Sequence, residues 1–138
     1  MFRLVYVSSA SQPFTKAELQ ALLEQARQKN TKLGVTGMLL YKDGNFMQAL
    51  EGQGNVLRGL VGTIERDSRH KGILILLRGT SEERLFPNWS MGFRDLTDQD
   101  ERNAPGYSAF MNTPFTEAEF TGDPNRCLKL LLSFKKNM

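Results

Sequence analysis

The sequence has 138 residues, 40% hydrophobic and 24% charged, with a formal charge of +3; that is enough for one core and an appendage and too little for two full domains. This composition excludes wholesale disorder, and no stretch is repetitive or of low complexity. Lys and Arg are scattered among acids rather than gathered in blocks, so the pI near 9.2 permits a nucleic-acid partner without suggesting one.

Residues 2 to 8 alternate Phe2, Leu4, Tyr6 and Ser8 with Arg3, Val5 and Val7, which predicts a first strand. In "FTKAEL", Thr15 stands at an N-cap, Glu18 at the capping-box position, and Phe14 with Leu19 makes a staple pair, so a helix starts here. Leu19, Leu22, Leu23 and Ala26 mark its inward stripe, and the same period brings Asn30 inward at the helix end. Val35 to Tyr41 and Phe46 to Glu51 flank Asp43-Gly44, a hairpin signal. Asn55 is placed to cap a second helix with the stripe Leu57, Leu60, Val61 and Ile64, extended by Asp67. Gly59 and Gly62 either admit a flat ligand or leave that helix poorly optimised.

Ile73 to Leu77 is continuously apolar, as in a strand buried on both faces, and "WSMGF" at 89 to 93 predicts a last strand with Trp89, Met91 and Phe93 inward. The order is strand, helix, strand, strand, helix, strand, strand. It predicts an α+β ferredoxin-like sheet with both helices on one face. The other face, lined by Val5, Val7, Met38, Leu40, Met47 and Ala49, then needs a cover. Residues 97 to 123 read as a polar linker with a short helical turn after Thr116. Asp123-Pro124 starts a tail helix whose Leu128, Leu131 and Phe134 would supply the cover, with Leu130 and Leu132 pointing elsewhere. The expected division is therefore a domain over 1–96 and a helical extension over 97–138.

The chain carries no G-x-S-x-G, P-loop or G-x-G-x-x-G motif, and its single His and single Cys build neither the usual metal site nor an internal disulfide. No metal site is expected. Cys127 alone fits a reducing compartment, and the longest apolar run is far short of the ~20 residues that span a bilayer, so a cytoplasmic location without a membrane partner is expected. His70 is read as a capping or structural group ahead of a lone acid/base. What remains is Gln48 in an apolar run, facing the same inward surface as Tyr6 and Asn30. A buried amide needs partners, since leaving it unpaired costs roughly 1 to 3 kcal/mol. Two readings fit: a structural Tyr–Gln bond with Asn30 as a C-cap, or three polar groups around the edge of a flat heterocycle between the helices. The residues alone favour the first.

"LVYVSSA" at 4 to 10, "QKNTKLGVTGMLLYKDGNFMQALEG" at 28 to 52, "IERDSRH" at 64 to 70 and "RLFPNWSMGF" at 84 to 93 together resemble a BLUF domain, the blue-light sensors using FAD, over roughly residues 2 to 96. The resemblance reverses the preference between the two readings. It implies an isoalloxazine ring between the helices, with Tyr6 and Gln48 bridging toward its N5 and C4 carbonyl. It implies Asn30 on the pyrimidine edge and Asp67, Arg69 and His70 on the carbonyl or ribityl side. Lys29 occupies a position where members carry different polar residues, and a surface lysine is its other reading. Trp89 and Met91 match positions that exchange places near the glutamine and relay the change. The flavin implied is FAD, with FMN or riboflavin equally compatible with the motifs.

The implied function is a short stand-alone photoreceptor rather than an enzyme. Light would drive electron and proton transfer from Tyr6 and a rearrangement of Gln48, and the output would pass to a downstream protein, a regulator or transcription-related partner, with homo-oligomers expected. The alternatives are a ferredoxin-like RNA-binding module, whose sheet face would have to stay open, and a light-insensitive flavin carrier.

Overall fold

The computed structural model describes residues 1–42, 44–95, 128, 129, 131 and 132. The elements run β1 (Phe2–Ala10), α1 (Lys16–Leu33), β2 (Thr36–Lys42), β3 (Asn45–Gly52), α2 (Gly54–Arg66), β4 (His70–Thr80) and β5 (Gly92–Asp95). The sheet order is β4-β1-β3-β2-β5, antiparallel except for the parallel β2–β5 pair. This is the expected α+β ferredoxin-like arrangement, with β5 added beside β2.

Local chemistry accounts for the element ends. Glu18 N donates to Thr15 Oγ1 at 3.1 Å and Thr15 N to Glu18 Oε1 at 3.0 Å, closing the capping box. At the other end Gly34 takes φ 68° and its N–H returns to the Asn30 carbonyl, so Gly34 and not the Asn30 side chain caps α1. Lys42 pairs with Asn45 across a two-residue turn in which Gly44 has φ 87°; Asp43 lies outside the described residues. Helix α2 begins one residue before Asn55, with Gln53 at the N-cap and no side-chain capping bond, so the expected Asn55 cap is not formed. A Cβ on Gly59 would meet nothing within 4 Å, and on Gly62 only the flexible Arg66 side chain, so no close approach by another described part of the chain requires either glycine.

Two strand readings are corrected. β4 is an edge strand and is not buried on both faces: Leu74 is 42% exposed, Ile73 and Ile75 pack under the helices, and Leu76 and Leu77 pack on the opposite face. A register shift opposite Val5 and Tyr6 breaks the alternation and puts the two consecutive leucines on one side. In "WSMGF" strand geometry starts only at Gly92, so Trp89 and Met91 do not share a face. Met91 and Phe93 join the helix-side cluster, whereas Trp89 packs on the far-face cluster and stacks against Phe86 at 6.2 Å. Gly92 makes room for it, since a Cβ there would sit 2.7 Å from Trp89 Cε3.

Every residue expected on the far face is there: Val5, Val7, Met38, Leu40, Met47 and Ala49 are fully buried, together with Phe86 and Leu131. Residues 128, 129, 131 and 132 are helical, and Leu128, Leu131 and also Leu132 pack on this cluster; Leu132 was expected to point away. Thr116, Asp123, Pro124, Leu130 and Phe134 lie outside the described residues. A covered face leaves no open platform for stacking RNA bases, which removes the support for the RNA-binding alternative.

Glu51, on this same side, is a buried carboxylate. It receives Arg3 Nε at 3.0 Å and the Leu85 and Phe86 N–H groups at 2.9 and 2.8 Å, which fixes the middle of the β4–β5 connection.

Candidate functional site

Strand register brings the two central polar groups together. Tyr6 lies directly opposite Gln48 in the β1–β3 ladder, so both side chains rise from one face beneath the helices. The Tyr6 hydroxyl donates to Gln48 Oε1, and Gln48 Nε2 donates to Met91 Sδ at 3.3 Å. The amide thus uses its accepting end on a phenol and its donating end on a thioether. Burial pushes the Tyr6 phenol above its ordinary pKa, so it stays protonated at neutral pH.

Above this pair a cavity of about 230 Å³ lies between α1, α2 and the sheet. Tyr6, Lys29, Asn30, Gln48, Asp67, Arg69 and His70, all singled out from the sequence, border it. Helix α1 contributes Leu22, Leu23, Gln25, Ala26, Lys29 and Asn30, α2 contributes Leu60, Thr63 and Ile64, and Asp67 reaches the cavity from the extended C-cap position just after α2. The α1 residues recur every three to four positions and the α2 residues are spaced i, i+3, i+4, so each set is one helix face, with polar groups interleaved among apolar ones. Gln25 and Thr63 were not foreseen, and that spacing is the signal that would have found them.

The mouth is electrostatically ordered. Arg69 engages Asp67 through Nε at 3.0 and 3.1 Å and a terminal nitrogen at 2.7 Å, and its own N–H donates to Asp67 Oδ1 at 2.9 Å. The Arg69 side chain holds the Asp67 carboxyl down at about 2 despite its partial burial, and Asp67 in turn raises Arg69. Ser11 donates from N to the Arg69 carbonyl at 2.9 Å and from Oγ to the Ser68 carbonyl at 2.6 Å, tying this turn to the end of β1. His70 sits 3.3 Å from Ser8 Oγ through Nδ1 and 4.9 Å from the Phe46 ring centroid. Burial lowers its pKa, which Asp67 only partly opposes, so the imidazole is neutral at pH 7.

Of the two proposed relay residues, Met91 touches Gln48 and Trp89 does not; Trp89 lies on the far side of the sheet. Its segment is held at three points: Gly37 N donates to the Trp89 carbonyl at 3.0 Å, Asn30 Nδ2 to that of Ser90 at 2.9 Å, and Arg27 Nε to that of Met91 at 2.9 Å. Apolar walls from both helices, a neutral amide at the floor with others on α1, and an ion pair at the mouth suit a flat, uncharged heterocycle with amide-like edges and a polar tail. Among the described residues no group of His, Cys, Asp or Glu could hold a metal ion, and no helix is long and apolar enough to cross a membrane.

Comparison with known proteins gives one consistent result. The family described as sensors of blue-light using FAD matches residues 1–92. The photoactivated adenylate cyclase subunit beta of Euglena longa is 34% identical over 89 residues, covering 64% of this chain and 10% of the relative. The chain thus spans about a tenth of the length of that curated relative. Among solved structures, the ground state of BlsA superposes with a TM-score of 0.75 at 28% identity, covering 95% of this chain and 87% of that one. The dark state of BlrB, a BLUF protein, gives 0.73 at 27% identity, covering 92% and 93%.

Proposed function

Because the chain belongs to the BLUF family of blue-light sensors using FAD, we propose that its cavity holds the isoalloxazine of FAD and that the Tyr6–Gln48 pair is its photochemical switch. The observation that carries this reading is the hydrogen bond from a buried phenol to a reversible amide at the cavity floor. Asn30, Asp67, Arg69 and His70 hold the polar edges of the ring and its ribityl chain, and Lys29 lies at the rim.

Excited by blue light, the flavin supplies an acceptor for one electron. A neutral phenol in an apolar setting does not release its proton alone, yet it becomes strongly acidic as its electron leaves. The Gln48 oxygen already accepts from the Tyr6 hydroxyl, so the proton has a path. An amide that takes up a proton at oxygen can give one up at nitrogen, or turn end for end, and so exchange its donor and acceptor ends without leaving a buried charge. The Met91 thioether is a weak acceptor, so it holds the Nε2 end less firmly than a carbonyl would.

Residues 1–96 sense and 97–138 carry the output, through Leu128, Leu131 and Leu132 on the far face. The chain acts as a receptor toward a protein partner, a regulator or transcription-related protein, and as a homo-oligomer, without catalysis of its own. The lone Cys127 supports a cytoplasmic setting.

Gln48→Leu tests the reading: the purified variant should bind flavin and lose the light-induced red shift, while Tyr6→Phe should bind flavin and lose the full photocycle. A red shift retained in Gln48→Leu removes the amide from the switch. A protein that is yellow but inert to light is a carrier, and one that stays colourless when purified with added flavin has no flavin site.

A further inference from the structure

We propose that Arg27, which lies outside the cavity, is a positioning residue that sets how readily the Gln48 amide turns, by fixing Met91 from α1. This rests on the switch proposed above and extends it to a side chain that touches neither the cavity nor Gln48. Arg27 is exposed and lies on α1 four residues after buried Leu23 and three before buried Asn30, beside the helix's inward stripe. Its Nε donates at 2.9 Å to the carbonyl of Met91, the residue whose sulfur accepts from Gln48 Nε2 at 3.3 Å.

The neighbouring restraints do not make this one redundant. Asn30 holds Ser90 and Gly37 holds Trp89, both before Met91 in the chain, and regular strand pairing begins at Gly92. Arg27 therefore grips the peptide that joins the irregular segment to the strand. Met91 is 1% exposed, so close packing couples movement of its side chain to movement of its backbone. An amide cannot reverse its ends while a sulfur stays lodged against its nitrogen; the thioether must yield first. Holding the Met91 carbonyl raises the cost of that movement in both directions, from dark to lit and back. A hydrogen bond from a charged donor is worth enough that its loss should speed return to the dark state by roughly fivefold to tenfold.

Substitution at an exposed position spares the core, so R27M, which keeps the stem and removes the donor, and R27K, which restores a donor of similar reach, should both fold and bind flavin as the unsubstituted chain does. Two quantities are read: the dark-recovery rate after a blue flash, and the Met91 methyl resonance in dark samples, assigned with M91L. The proposal expects faster recovery in R27M, recovery in R27K close to the unsubstituted rate, and a Met91 methyl displaced in R27M and returned in R27K. It is overturned if R27M recovers within twofold of the unsubstituted chain, if R27M and R27K recover equally fast, or if the rate changes with the methyl unmoved. Those outcomes leave the switch itself standing; an unsubstituted chain with no red shift removes the switch, and this role of Arg27 with it.

Discussion

Toward Phe86 and Leu131, strands β1, β2 and β3 present Val5, Val7, Met38, Leu40, Met47 and Ala49, all fully buried. Toward the helices, alternate residues of the same strands include Tyr6, Leu39 and Gln48, which border a cavity of about 230 Å³. One face is a filled core, and the other is a core with a space left in it. The difference separates two consequences of mutation: loss on the filled face should lower stability, and loss on the cavity face should change the response to light while the fold persists.

The largest effect should come from the filled face. Phe86→Ala should lose roughly 3 to 5 kcal/mol in urea denaturation, as truncating a buried aromatic does; a loss under about 1 kcal/mol would mean that this face is not the main core. Next is Glu51→Gln, which keeps one acceptor oxygen but weakens the hold on Arg3 and on the Leu85 and Phe86 amides. A loss of about 2 kcal/mol is expected in the same measurement.

Gln48→Leu sharpens the contrast. The Tyr6 hydroxyl borders the cavity, where water or ligand can replace the amide, so the stability of the flavin-free chain should fall by less than about 1 kcal/mol while the red shift disappears.

The smallest effect concerns pH. Because burial depresses the His70 pKa, the unfolded chain binds a proton at pH values where the folded chain does not. Stability from this group is therefore present above the ordinary histidine pKa and is lost as pH falls through the folded value. Melting curves should show a modest decline below about pH 6.5 that is shallower in His70→Asn.

Much of this contrast was legible in the sequence because it rests on short periods. Alternation assigned Val5, Val7, Met47 and Ala49 to one face and Tyr6 and Gln48 to the other, and helical spacing brought Asn30 to the cavity, whereas Asp67 borders it from the extended residue after α2 and not as a continuation of the helix. Where an element is irregular, the period misleads. Trp89, Met91 and Phe93 look like an alternating strand, but the first two precede Gly92, and the turn before it sends Trp89 across the sheet edge onto Phe86. The run Ile73 to Leu77 looks central because it is continuously apolar, whereas a register shift at the sheet edge places it. Arg27 and Glu51 left no local signal, since their partners lie at sequence separations of 64 and of 34 to 48 residues. A charged side chain on a helix or at a strand end reads as surface until those partners are known.

The central claim is that the Gln48 amide reverses its hydrogen-bonding ends under light. A light-minus-dark infrared difference spectrum of flavin-loaded protein with isotope-labelled glutamine side chains tests it most directly, with Gln48→Leu identifying the band. A Gln48 carbonyl band that shifts in step with the red shift and returns with dark recovery is the predicted result. A full red shift with no labelled glutamine band moving would contradict it.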